Sequence, residues 1–452
     1  MEKESNNQLP KWESGWGVRH TQIMLYFSCI TVVYMLRLNL TLAVVAMTTS
    51  TDKNVPLSPA EKALVLSSLF WGYGTLQTIL GNLGRKTNAV RVLAYCILIS
   101  SILSLATPFA AIQFGAVGII VVRVVMGITQ GGIYPNMNNL LSMWVVPQEK
   151  TVLGPFVYNG MAFGTFVAMI ASGYLAENFD WPSIFYSSGI LAIIVSGALL
   201  YFGKCSPSDH KGISKEELEF MRNSLGDRSI ETMRKLPVPW KKILTSVPVI
   251  TLTITHWCNS WGYWTISSLT PTYMNGVLHF DVESDGFLSS LPPLTSLLLG
   301  VFFTLISMKI RNLMPPLYAK FMWNSIGMYG SALALIVLAY TQDKTIAIAL
   351  ITAGSGISIA INLGFQTNHI YLSPNFAGIL YSFTNSVANF ASIFGPLIST
   401  YLVKDIGNVN EWRVVFLLSA TILVFGNTCF LFWGTTKTQE WNEGEIEKEQ
   451  AE

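Results

Sequence analysis

Residues Lys204–Ser246 read KCSPSDHKGISKEELEFMRNSLGDRSIETMRKLPVPWKKILTS, a polar run of mixed charge. On both sides of it the chain consists of apolar stretches long enough to cross a bilayer. Upstream they fall at about 22–47, 63–83, 89–110, 115–143, 151–176 and 183–203. Downstream they fall at about 247–274, 286–308, 316–340, 345–370, 376–402 and 412–434. Six spans, a polar linker and six more spans is the layout of two facing bundles. The expected fold is all-α, a polytopic membrane protein with 12 transmembrane helices in 6+6 pseudo-symmetric bundles. The chain then divides into an N-tail (1–21), a first bundle (22–203), the linker (204–246), a second bundle (247–434) and an acidic C-tail (435–452). Inside the linker, Ile213-Ser214-Lys215-Glu216-Glu217 sets an N-cap serine before acids and predicts a short amphipathic helix. Pro237 and Pro239 interrupt the chain before Trp240.

Composition supports this reading. Of the 452 residues, 51% are hydrophobic and only 12% charged, and the mean hydropathy is +0.45. A soluble domain carries about 25% charged residues. A net charge of +2 gives no footprint for nucleic acid. The first 21 residues lack the basic, apolar and small-residue zones of a cleaved signal, so span 1 is read as an uncleaved anchor. Four of the five cysteines lie inside apolar runs, and Cys205 sits at a span end; neither a disulfide framework nor metal-ligand spacing results. The C-terminal stretch 440–452 is acidic and reads as disordered.

Lysine and arginine set the expected orientation. The linker alone holds Lys204, Lys211, Lys215, Arg222, Arg228, Arg234, Lys235, Lys241 and Lys242. Arg85, Lys86, Arg91, Lys150, Lys309, Arg311 and Lys320 fall on the same side; the other side has Lys53, Lys62, Lys344, Lys404 and Arg413. Both termini and the linker are therefore expected in the cytoplasm. The membrane is expected to be the plasma membrane or an endolysosomal or vesicular one. The sequon-like Asn39-Leu40-Thr41 is inside span 1, beyond the reach of glycosylation.

Two formal charges stand deep in the apolar runs, Arg37 in span 1 and Arg123 in span 4, with the Asp and Glu residues confined to tails, loops and span ends. A buried charge in lipid is costly and marks function. Two cations without a carboxylate partner call for an anion. Tyr34 and Thr41 flank Arg37 on one helix face, and Gln130 lies two turns beyond Arg123 beside Gly127 and Gly131–Gly132. On the functional reading both arginines face a central cavity and hold an anion by forked hydrogen bonds. On the alternative each bonds backbone carbonyls or polar side chains and fixes packing.

Polar stripes occur on other spans. Span 2 has Tyr73 and Gln77, with Trp71 beside them as a gate or wall. Span 7 has His256, Asn259, Ser260, Tyr263 and Ser267; span 10 has Asn362, Gln366 and His369; span 11 has Ser382, Asn385, Asn389 and Ser392. They either line the path or tie helices together. His256 reads as the only ionisable residue besides the arginines that lies deep in a span: a proton carrier, or a packing histidine. No metal-ligand cluster or phosphate loop is legible, so neither an enzyme nor an ATP-driven pump is expected, and no cofactor.

Several motifs recur in order along the chain. Span 1 gives Tyr34-x-x-Arg37-x-Asn39-Leu40, span 2 Phe70-Trp71-Gly72-Tyr73-x-x-x-Gln77, and span 4 Arg123-x-x-x-Gly127-x-x-Gln130-Gly131-x-x-Tyr134-Pro135. Trp181-Pro182-Ser183 opens span 6, and Ser373-Pro374-Asn375-Phe376-Ala377-Gly378 with Asn385 opens span 11. Together they resemble the anion:cation symporter family of the major facilitator superfamily, which holds sialin, the vesicular glutamate transporters and sodium–phosphate cotransporters. The chain is most similar in character to invertebrate members labelled inorganic phosphate cotransporters. The resemblance implies a major facilitator fold, alternating access to one central site, and anion binding by Arg37 and Arg123.

The departures carry information too. Family members often have glutamate where this chain has Gln130, and glutamine releases no proton. The glutamate-transporter branch has arginine where this chain has Asn259 and histidine where it has Leu66, so vesicular glutamate uptake is not expected. The 2–3 loop, Ile79 to Asn88, lacks the family's Pro-Gly-Gly run. Two functions stay open. One is secondary transport of a small anion, phosphate or an organic carboxylate, with Na+ or H+ as coupling ion. The other is a transport-inactive anion sensor or scaffold of the same fold. The expected partners are the anion and the lipid bilayer, and the expected state is a monomer. The candidate substrate-binding residues are Arg37, Arg123, Tyr73, Gln77, Gln130, His256, Asn259, Tyr263 and Asn385.

Overall fold

The computed structural model describes residues 15–49, 55–225, 236–278, 286–341 and 343–443. Parts of the N-tail, linker and C-tail named above (1–14, 226–235 and 444–452) lie outside the described residues. Those described form helices and connecting turns, as a bilayer demands of a backbone with no water to pair with.

Among the described residues, eight helices are long and apolar enough to cross a membrane, nine if a bent pair counts as one span. That pair is span 2, where Pro59–Tyr73 and Gln77–Lys86 meet at 42°. The longest candidate, Ala89–Trp144, is two spans. Ser100 and Thr129 hydroxyls lie 2.8 Å apart, whereas a straight helix would separate them by about 43 Å. The chain doubles back at Gly115, whose φ of +58° is a left-handed conformation that suits glycine. Val247–Gly276 and Ala377–Leu402 complete the set as spans 7 and 11. Among the described residues the total is then twelve spans.

The apolar cores follow the two bundles. One cluster draws mainly on Ile23 through Met221, the other on Leu236 through Trp441. Close approach of spans 2 and 4 depends on Gly127, where a Cβ would strike the Leu69 carbonyl. That contact is what lets Tyr73 reach the interior of the first bundle.

The face bearing the termini, here the terminal face, is closed. Asn139 of span 4 donates to Gly81 O of span 2 (3.1 Å) and accepts from Gly378 N of span 11 (3.2 Å). Asn159 of span 5 donates to Thr304 of span 8 (3.1 Å) and accepts from Asn362 of span 10 (3.3 Å). Arg85 donates to Leu236 O and lies over the Phe376 ring.

The linker helix is Lys215–Leu225, capped by Ser214 Oγ accepting from Glu217 N (3.1 Å). It docks through Glu217, which together with Glu149 pairs with the buried Arg19 at 3.2 and 3.0 Å. The sequence reading of 440–452 as disordered is corrected in part. Residues Glu440–Glu443 form a 3₁₀ turn, and Asn442 Oδ1 accepts from Ser373 Oγ and Asn375 N. The side chains of Trp441 and Asn442 outweigh their acidic neighbours by packing on Phe376 and closing the 10–11 turn.

Candidate functional site

Arg37 lies midway along span 1 (Val18–Thr49), in a cage of three tyrosines. Its guanidinium carbon is 4.5 Å from the Tyr73 ring centroid, 5.1 Å from Tyr34 and 6.0 Å from Tyr134. Each such contact is worth about 0.5–2 kcal/mol, which offsets only part of the cost of burying a cation. Nε donates to Gln130 Oε1 at 2.7 Å. Nη2 is buried with no partner within the protein. The Gln130 and Gln77 side-chain Nε2 atoms are likewise buried and unpaired. All three are donors, and an unmade buried bond costs about 1–3 kcal/mol. The natural complement is an acceptor with several oxygens and negative charge.

Arg123 is differently placed. Nη1 donates to Leu36 O (3.1 Å) and Nη2 to Arg37 O (2.8 Å). This is the geometry of the packing alternative: two guanidinium nitrogens hold the span 1 backbone, while Nε is buried with no partner within the protein. Arg123→Ala removes both bonds and leaves a void, so it should lower thermal stability by roughly 3 kcal/mol. Arg123→Lys reaches one carbonyl and should fall between. A melting series on the purified chain checks both.

Span 11 supplies Asn385, which donates to Tyr73 OH (3.2 Å) and Gln77 Oε1 (2.8 Å), bridging the bundles at the cage. Asn389 donates to Phe70 O farther along the same pair of helices. From span 7, Tyr263 lies within electrostatic reach of Arg37 and Tyr34 and hydrogen-bonds Ser267. Tyr263 is 39% accessible, and Ser267, one turn toward the face opposite the termini, is exposed. Asn259 is half-buried on the same span. His256 bonds Thr384 in the second bundle at 3.1 Å. The site residues read from the sequence thus form a cage group (Arg37, Tyr73, Gln77, Gln130, Asn385) with Tyr263 near it, a clamp (Arg123) and a separate group around His256.

Four participants were not singled out as site residues. Tyr134 donates to Tyr34 OH (3.0 Å) and stacks between Tyr158 and Tyr381. Tyr381 OH accepts from Gln366 Nε2 (2.8 Å). His369 is fully buried, so His256 is not alone as a deep histidine. Lys320, counted above among the charges on the linker side, is 1% exposed and donates to Gly364 O and Thr367 Oγ1, each at 3.0 Å. The signal available for Tyr134 was its spacing of four residues from Gln130.

The fold and this site define a membrane transporter, and comparisons with known proteins place it. The family model for the Major Facilitator Superfamily matches residues 26–396. A Drosophila melanogaster protein provisionally named an inorganic phosphate cotransporter is 33% identical over 99% of this chain and 90% of its own length. Human sialin is 30% identical over 94% and 91%, and the chloroplastic ascorbate transporter of Arabidopsis thaliana 31% over 97% and 78%. A structure of the proton:xylose symporter XylE superposes with a TM-score of 0.74 at 13% identity, over 96% of this chain and 99% of that one, a likeness of fold. The chain belongs to the major facilitator superfamily, in the branch that holds sialin and the anion transporters. It is a transporter and not an enzyme.

Proposed function

We propose that this protein carries a small oxyanion, inorganic phosphate or an organic carboxylate, across a membrane by alternating access, coupled to a cation. The observation that carries the proposal is the guanidinium of Arg37, held by a neutral glutamine and three tyrosines, with its Nη2 and the amide nitrogens of Gln130 and Gln77 all buried and unpaired. Arg37 is the anion contact. Arg123 positions it through the span 1 backbone, Gln77 and Gln130 donate to the anion, and Asn385, Tyr73 and Tyr263 form the boundary with the second bundle. The relatives' names point to phosphate and ascorbate, both oxygen-rich anions. The closed terminal face fits a state loaded from the opposite side. The lysine and arginine bias makes that terminal face cytoplasmic, in a plasma or endolysosomal membrane, and the chain acts as a monomer.

The test is uptake of labelled phosphate, ascorbate and other small organic anions into proteoliposomes, with sodium, proton and voltage gradients imposed separately and Arg37→Ala as control. Uptake that requires one gradient and is lost in Arg37→Ala is the expected result. Anion binding without flux would instead favour a sensor of the same fold.

A further inference from the structure

The second bundle holds a hydrogen-bonded chain of two histidines and a threonine. His256 Nδ1 is 3.1 Å from Thr384 Oγ1, and His369 Nε2 is 2.8 Å from the same oxygen. His369 Nδ1 is 3.1 Å from Gln366 O. A carbonyl accepts only, so His369 Nδ1 carries a hydrogen. In neutral His369, Nε2 is then an acceptor, and the Thr384 hydroxyl donates to it. That leaves the Thr384 oxygen to accept from His256 Nδ1–H. The Thr384 hydroxyl also has the Tyr381 carbonyl within reach at 3.2 Å; when it donates to His369 instead, the bonds run continuously, His256 to Thr384 to His369 to Gln366.

We propose that this chain is the proton-binding site that couples transport, taking up one proton for each anion at Arg37. The inference rests on the anion-carrier reading above and supplies what Gln130 cannot. A proton arriving at His256 Nε2 moves the Nδ1 proton to Thr384, whose own proton passes to His369 Nε2. The threonine then donates back to His256 Nδ1. His369 ends as the imidazolium, donating to Thr384 and Gln366, and the balance is one proton gained.

The surroundings make proton and anion mutually dependent. The titratable and charged groups around the pair are Tyr381 of span 11, Tyr371 just past the span 10 break, Lys320 of span 9 and Lys150 of span 5. None of these is a carboxylate. Added to Arg37, Arg123 and Lys320, a further buried cation lacks a counter-charge until an anion occupies the cage. Each ligand therefore favours the other, by a factor equal in both directions.

The path between the two sites is continuous. Span 10 breaks into 3₁₀ turns at Ile359–Asn362 and Phe365–Thr367, and His369 follows the break. Gln366 accepts from His369 through its carbonyl and donates through its side chain to Tyr381. Tyr381 stacks on Tyr134 at 5.3 Å, and Tyr134 bonds Tyr34 beside Arg37. Loading either end changes the charge at the closure between the bundles.

The full chain in proteoliposomes tests this, with labelled inorganic phosphate and ascorbate as probes. His369→Gln and His256→Gln should reduce accumulation driven by an acid-outside gradient by roughly tenfold. Exchange of the same anion at saturating concentration, with no gradient imposed, should persist in both variants with a weakened apparent affinity, which also certifies their fold. Arg37→Ala should lose both modes, so failure of the anion site and failure of the relay give different patterns. On detergent-solubilised protein in unbuffered solution, probe binding should draw in one proton in the unaltered chain and none in His369→Gln. Binding without proton uptake in the unaltered chain, or full gradient-driven accumulation in His369→Gln, overturns the proposal.

Discussion

Arg37→Lys keeps the charge and should still cut anion binding and uptake by roughly 100-fold, the scale on which truncating a buried charged hydrogen-bond partner acts. A lysine ammonium is a point charge on a flexible stem and lacks the planar fork. It cannot donate from the Nε position to Gln130 at 2.7 Å while presenting a second donor inward. It also loses the guanidinium placed over the Tyr73 ring, 4.5 Å from its centroid. Because the fold of span 1 depends on Arg123 gripping its carbonyls and not on the Arg37 head, the melting temperature should move by only about 2–4 °C. Near-normal phosphate or ascorbate uptake by Arg37→Lys would remove Arg37 from the binding site.

Gln130→Glu should separate stability from binding. The new carboxylate would stand where Gln130 Oε1 now accepts from Arg37 Nε, and the cage would hold its own counter-ion. A buried ion pair whose partner is already desolvated is worth about 3 kcal/mol relative to the lone charge. Thermal stability should rise, and anion affinity at neutral pH should fall by roughly 100-fold for the same reason. Acidification, by protonating the carboxyl, should restore binding. Calorimetric titration with phosphate and ascorbate across pH, beside melting curves, measures both arms. Unchanged affinity in a stabilised variant would place the anion elsewhere.

The span pattern was legible because lipid forces a long apolar run for every crossing, whatever the run packs against. Arg37 was legible on the same ground, since a charge in such a run is conspicuous before any contact is known. The contacts of Arg123 were not. Whether it forks onto an anion or onto Leu36 O and Arg37 O depends on how spans 1 and 4 are rotated, which a twenty-residue apolar stretch does not encode. Lys320 looked like one more charge setting orientation because it stands near a span end. Its burial follows from the break in span 10, which frees the Gly364 carbonyl to receive it. Tyr134 stood in the span 4 motif without a role, Tyr381 and Thr384 carried no signal at all, and the partners of all three lie across helices or across the bundle boundary.

The clamp of Arg123 on the span 1 backbone also fixes the mechanical ownership of the site. Arg37, its tyrosines Tyr34, Tyr73 and Tyr134, and the Gln130 that orients it all belong to the first bundle, and Arg123 fastens them there. The second bundle touches this assembly through Asn385 and Tyr381, at bonds and stacked faces that can part without disturbing the cage. Under the proposed alternating access, the positive charge is cargo deck rather than hinge: it stays fixed to one half while the other half acts as its shutter.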